Sequence, residues 1–378
     1  MNNKKVVIIC IVLIIALIGG SAGLIYINQS KETSAVSEDS LTESQGDDKK
    51  QKDADPQEDP ENEADRAEEA TSIIFTGDVL LSNYVLSNYN SKGMDGVLSA
   101  DLQETLNQSD ITMINNEFPY STRGSQAPDK QYTFRVDPSY VSVIQQMGVD
   151  IAGLANNHVL DYGTEALEDT FTTLDNAGIE YTGAGDSLED ASKLIIREVN
   201  GKTYGFLAAS RVIPVGSWNV ENATPGVFTT YDPTKLIAAI QEAKSTCDYV
   251  YVSVHWGTEH TDVLTDYQAA MAHKFIDAGA DAVIGSHPHV LQGMEYYNEK
   301  PIFYSLGNFI FNQSIERTVA VEITVDAKGT SQVRLIPASA KNAYTHTGTG
   351  TTAQSIYDYL MSISPSVTID NNGYMTMK

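Results

Sequence analysis

Cysteine is nearly absent: the 378-residue chain has two, Cys10 and Cys247. Cys10 falls inside an apolar run and Cys247 stands alone far downstream, which excludes a disulfide framework. Any folded domain must therefore be stabilised by burying a core. Positive charge is scarce as well. Lys and Arg number 24 against 50 Asp and Glu, for a net charge of −26. Such a chain is a poor partner for nucleic acid, whose binding rests on neutralising phosphates. Histidine is limited to seven residues, yet two of them stand one residue apart in "GSHPHV", directly after the apolar run "DAVIG".

Residues 31–70 lack aromatic side chains altogether and hold fifteen Asp or Glu against five Lys or Arg. A segment of this kind cannot bury enough apolar surface to offset the entropy of ordering it, and reads as a disordered, self-repelling tether. Charge is missing in the opposite sense from Val6 to Ile27, an apolar run preceded by Lys4 and Lys5. At about 1.5 Å per residue this run spans a hydrocarbon core of roughly 30 Å. A cleavable signal peptide has a shorter apolar stretch, and here "LIYI" continues past the small residues "GGSAG". Residues 1–30 are thus expected to form an uncleaved single-pass anchor. The lysines on its near side predict a cytoplasmic N-terminus and an extracellular C-terminal domain. The tether carries −10 and the head +2, leaving −18 for residues 71–378.

From Ser72 onward, short β-rich runs alternate with helical patterns. "SIIFTGD", "ITMINNE", "DIAGLANNH", "YGFLAAS", "YVYVSVHWG", "AVIGSHPH" and "IFYSLGN" read as strands. Apolar residues three or four apart predict helices over about 97–107, 138–147, 164–177, 233–244 and 266–278. "VAVEITVD" and "SQVRLIPAS", joined by "AKG", read as a hairpin. The alternation predicts a layered α/β domain over residues 71–340. The extension 341–378 carries one short helix near 356–361 and no assigned role.

Metal-competent side chains gather where the strands end: Asp78, Glu117, Asn157 beside His158, His255, then His287 and His289. Ligands of layered α/β proteins collect outside the carboxyl ends of strands, and carboxylate, imidazole and amide donors suit Mn, Fe or Zn. Each residue also has a plain reading. Asp78 could cap a helix, His255 could stack in a core beside Trp256, and Asp161 suits the entry of the helix at Thr164.

The motifs "TGDVLL", "NNEFP", "GLANNHVLDYG", "VHWGTEH", "GSHPHV" and "PIFYSLGNFIF", in this order, resemble the bacterial CapA family of capsule synthesis and poly-γ-glutamate production. That family is related to the calcineurin-like metallophosphoesterases. The resemblance covers about 72–325. It implies a four-layer α/β/β/α sandwich carrying one or two divalent metal ions. It also implies that Glu117 bridges, that Asn157, His255 and His287 hold one metal, and that Asp78 and His289 help to hold the other. His158 would be a general acid, with Asp161 orienting it. One position departs from the phosphoesterase pattern: Leu80 stands where a histidine is expected. Either that site is weak, or His260 or Glu259 fills it, or only one metal binds.

The resulting expectation is an anchored, metal-dependent hydrolase or transferase acting on a phosphoester or on an amide of an acidic polymer. The alternative is a non-catalytic accessory protein that binds or exports such a polymer, with membrane-embedded synthesis or export proteins as partners. An acidic domain repels a polyanion over roughly 8 Å at physiological salt. A local patch of Arg123, Lys130, Arg135 and Arg211 would have to overcome that repulsion.

Overall fold

The alternating strands and helices form an α/β fold with two mixed sheets in a computed structural model that describes residues 70–378. The expected membrane helix and, apart from Ala70, the expected tether lie outside the described residues. Among the described residues no helix is long and apolar enough to cross a membrane.

Strands β1 (Thr71–Val79), β2 (Ile111–Asn116), β3 (Ile151–Gly153) and β4 (Glu180–Thr182) lie side by side and parallel. The two-residue strands β5 (Ala184–Gly185) and β8 (Gly226–Val227) form a separate ribbon. Around them come β6 (Ile195–Val199), β7 (Lys202–Ser210), β9 (Tyr249–His255) and β10 (Ala282–Ser286). Then follow β11 (Met294–Tyr297), β12 (Lys300–Phe303), β13 (Asn308–Ile310) and the long hairpin of β14 (Ser314–Val325) and β15 (Ser331–Lys341). Strands β16 (Tyr344–Thr347), β17 (Val367–Ile369) and β18 (Tyr374–Met377) close the chain.

One sheet has ten strands in the order β17-β18-β15-β14-β1-β2-β3-β4, with β13 on β1 and β16 on β15. The other has six, in the order β11-β12-β10-β9-β7-β6. Residues 341–378 extend the first sheet: β18 pairs with β15, and helix Thr351–Ser362 buries Ile356, Tyr357 and Leu360.

Alternation along each strand sends one row of side chains to each face, and burial shows where the rows go. Phe75 of β1 meets Phe206 of β7 and Tyr251 of β9 at ring-centroid distances of 6.2 and 5.4 Å, so the two sheets share one core. The opposite row of the six-stranded sheet, including Leu207, Val252 and Val283, packs on helices Thr234–Thr246 and Gln268–Asp277. Burying one such large apolar side chain contributes about 1.5–3 kcal/mol. Helix Thr164–Ala177 shows why the pattern was readable. Leu167, Phe171 and Leu174 recur on one face, and Gly178 ends the helix in a left-handed conformation that glycine adopts without strain. Cys247 is buried and free.

Candidate metal centre

The parallel strands of both sheets bring their carboxyl ends to one rim, and register decides which side chains meet there. Asp78, near the end of β1, lies opposite Asn115 of β2 and Asn308 of β13. His255, the last residue of β9, lies opposite Ser286, the last of β10. Glu117 and His287 follow their strands by one residue. The backbone must be tight here. A Cβ on Gly77 would fall 1.9 Å from the carbonyl oxygen of Gly307, so the first strand admits only glycine before Asp78.

Three groups of donors form at this rim. Within each of Glu117–His255–His287, Asp78–Glu117–His289 and Glu259–His287–His289, ligand atoms lie within 4.8 Å of one another. Asn157 joins the first group, its Oδ1 lying 3.0 Å from His255 Nε2. Asp78, Glu117, Asn157, His255, His287 and His289, widely separated in sequence, therefore stand together. His287 and His289 both occupy positive φ, at 99° and 60°. Such backbone is rare for residues with a side chain, and the turn around Pro288 holds it twice within three residues.

The cluster is short of positive charge. Asp78 Oδ2, Glu117 Oε1 and His287 Nδ1 are buried with no hydrogen-bond partner among the described residues. Burial, reinforced by the carboxylate of Asp78, raises Glu117 well above the usual carboxylate range. Burial lowers His255 well below the imidazole range, and lowers His287 to about 3 with the help of neighbouring His289. His289 is the exception. Burial opposes its proton, but Glu117 and Asp78 outweigh that and raise it to about 10. Its Nδ1 lies 2.8 Å from Asn308 Oδ1 and 3.1 Å from Asp78 Oδ2. Isolated buried carboxylates are costly unless paired with a cation. Oxygen and imidazole donors converging on unsatisfied carboxylates fit a divalent metal ion.

His158 and Asp161 sit at the edge of this group. Asp161 Oδ2 accepts from His158 Nδ1 at 2.7 Å and from the backbone N–H of Phe134 at 2.7 Å. His158 Nε2 faces Glu117 Oε1 at 3.9 Å. Burial holds His158 below its usual range, against the pull of Asp161. Lys130 reaches in from the 121–137 loop and donates to Asp161 Oδ1 and to the backbone oxygen of Asn157.

Two contributors escape the sequence reading, and a third takes another role than the one expected. Asn115 donates to Asp78 Oδ1 at 2.8 Å and to Glu117 Oε2 at 3.2 Å. Asn156 Oδ1 accepts from the backbone N–H groups of His158 and Val159, fixing the turn that presents His158. Lys130 is expected from the sequence as one of four cations in a patch near the metal, and the structure makes it the partner of Asp161 instead. The doubled asparagines of "NNE" and "NNH" were the available signal for the first two.

The proposed cationic patch does not assemble. Arg123 pairs with Asp169 at 2.6 Å, Lys130 is consumed by Asp161, and Arg211 donates to the backbone oxygens of Thr230 and Tyr231. Arg135 alone of the four borders the groove of about 620 Å³ that opens over His158, Glu259 and His289. Leu80 is buried and lines the same groove. His273 and His346 lie elsewhere, against Glu295 and Tyr344.

The description "bacterial capsule synthesis protein PGA_cap" fits residues 72–313. The PGA biosynthesis protein CapA of Bacillus subtilis (strain 168) is 36% identical over 277 residues, covering 72% of each chain. The capsule biosynthesis protein CapA of Bacillus anthracis is 31% identical over 282 residues, covering 72% of this chain and 68% of that one. A solved Staphylococcus aureus protein, provisionally named a 5′-nucleotidase, superposes with a TM-score of 0.43 at 14% identity. That superposition covers 72% of this chain and 54% of the other, so this chain spans about half of that structure. With the family pattern running from β1 to residue 313 and two relatives above 30% identity matched over two thirds of their length, the chain belongs to the bacterial capsule synthesis protein PGA_cap family.

Proposed function

We propose that this chain is a membrane-anchored, extracytoplasmic hydrolase of capsule or poly-γ-glutamate biosynthesis, working at a metal centre of Asp78, Glu117, Asn157, His255, His287 and His289. One observation carries the reading. Two buried carboxylates face each other with an oxygen each left unsatisfied, ringed by histidines whose surroundings keep most of them neutral and able to ligate. Helices, sheet, sheet and helices are read here as the four-layer α/β/β/α sandwich of metallophosphoesterases.

Mn, Fe or Zn suits these donors. Glu117 belongs to two of the three groups and, with two ions bound, would be the residue that holds both. A divalent cation held there supplies Lewis acidity toward the phosphoryl or carbonyl oxygen under attack. The chain's own residues do the rest. His158 turns Nδ1 to Asp161 and keeps Nε2 toward the cluster, so it is placed to hand a proton to the departing oxygen or nitrogen. Asp161 fixes the ring, and Lys130 fixes Asp161. The family relationship supplies the substrate class, poly-γ-glutamate or another anionic polymer, and membrane-embedded synthesis or export proteins as partners.

A second reading has one observation in its favour. Leu80 puts an apolar side chain beside the groove where phosphoesterases place a ligand, which suits a centre that grips polymer carboxylates without turnover. The two readings separate at His158. The test is elemental analysis of the full-length chain purified in detergent without chelator, with a phosphodiester and poly-γ-glutamate hydrolysis screen on the same sample. Metal-dependent turnover is expected. Absence of bound metal overturns both readings, and bound metal with polymer affinity but no turnover selects the second.

A further inference from the structure

The cluster holds one carboxylate that the proposed centre leaves unused. Glu259, in the turn after β9, brings an oxygen within 4.8 Å of ligand atoms of both His287 and His289. Its position is set by backbone contacts on both sides. Trp256 N–H donates to the Ser286 oxygen at 3.0 Å and His260 N–H to the Pro288 oxygen at 2.8 Å, so the segment 256–260 is laced onto the segment carrying both histidines. Gly257 and His260 take positive φ to make that path. Leu80, Glu259 and His289 all border the same groove.

We propose that Glu259 is a metal ligand, standing in for the side chain that Leu80 cannot supply. The inference rests on the metal centre proposed above and adds a donor to it. Glu259 groups directly with His287 and His289 and shares His289 with the Asp78–Glu117–His289 group, so a cation held at His289 would have it as a further donor. A carboxylate arriving from a different loop leaves the buried floor of β1 apolar while completing the shell from the solvent side. A second observation points to a ligand here: His287 Nδ1 is buried and has no hydrogen-bond partner among the described residues. His260 is the neighbouring alternative, but it belongs to none of the three donor groups and its side chain is 76% exposed.

The test counts Mn²⁺ bound to the full-length chain by equilibrium dialysis and elemental analysis, with electron paramagnetic resonance to separate paired from isolated ions. Wild type should bind two Mn²⁺ per chain with a spin-coupled spectrum. Glu259→Gln should weaken one of the two by about tenfold or more and give the six-line spectrum of an isolated ion. His260→Gln should keep both. Glu259 is 46% exposed at its side chain, so its replacement leaves the core untouched, and an unchanged melting curve of the chelated protein verifies this. Two ions retained at unchanged affinity in Glu259→Gln overturn the inference, as does loss of an ion in His260→Gln instead. A single Mn²⁺ in wild type overturns it while leaving the metal centre standing. No Mn²⁺ at all removes the centre as well.

Discussion

Strand β10 has buried acids at both of its ends, one before it and two past it, and the two ends are treated in opposite ways. Before its first residue stands Asp281, whose carboxylate accepts from Lys244 Nζ and Lys300 Nζ, each at 2.8 Å, and from the Val250 N–H at 2.9 Å. Past its last residue lie Asp78 and Glu117, fully buried, with one oxygen each lacking a hydrogen-bond partner among the described residues. The chain gives the first acid two lysines and leaves the other two to share one imidazole, that of His289, 3.1 Å from Asp78 Oδ2 and 3.7 Å from Glu117 Oε1. A buried carboxylate that is fully satisfied is part of the framework. One left wanting, in a chain with lysines to spare for the other end of the same strand, is built for a cation from outside.

Breaking that contrast at the rim has the largest expected effect. Glu117→Gln should remove stoichiometric divalent metal and any metal-dependent turnover. The chelated protein should keep its fold, because burial already holds this carboxyl toward its neutral form and the amide is neutral too. Elemental analysis and a thermal melt in chelator check both halves. His158→Asn should lower turnover by about 10²–10⁴-fold with metal content unchanged, as steady-state rates on the same preparation would show. Unchanged turnover would remove the general acid from the mechanism.

The other end sharpens the comparison by failing differently. Asp281→Ala strands two lysines and one backbone N–H, and should cost about 2–4 kcal/mol of stability. Urea denaturation measures this, and metal binding to the folded protein should be unaltered. Smallest of the four, Lys130→Met should reduce turnover by roughly tenfold. It releases Asp161 and the Asn157 carbonyl, and Lys130→Arg should recover part of the loss in the same assay.

The framework end and the rim also differ in how much the sequence discloses. Helix Thr164–Ala177 and the β14–β15 hairpin could be read because each announces itself locally, through apolar spacing, a terminal glycine or a tight turn. Helix Asn83–Lys92 could not, since Val85 is its only buried side chain and no apolar stripe marks it. The six rim residues were visible as polar side chains at strand ends. Their supports were not. Asn115 reaches Asp78, and Asn156 reaches Asn115, only because parallel pairing of β1, β2 and β3 brings them near, and Lys130 reaches Asp161 from a loop with no regular structure. The positive φ of His287 and His289 has only a faint signature in residue type, because histidine tolerates such backbone better than most side chains but marks it far less than glycine does. Local physics is written locally; which distant groups end up unsatisfied is a property of the fold.

The most direct measurement is calorimetric titration of Mn²⁺ into the chelator-treated, full-length chain, run in parallel on wild type, Asp281→Asn and Glu117→Gln. Saturable, stoichiometric binding in the first two and none in the third is the predicted result. Binding of equal strength in all three, or in none, would mean that the unpaired acids at the rim are not there to receive a metal ion.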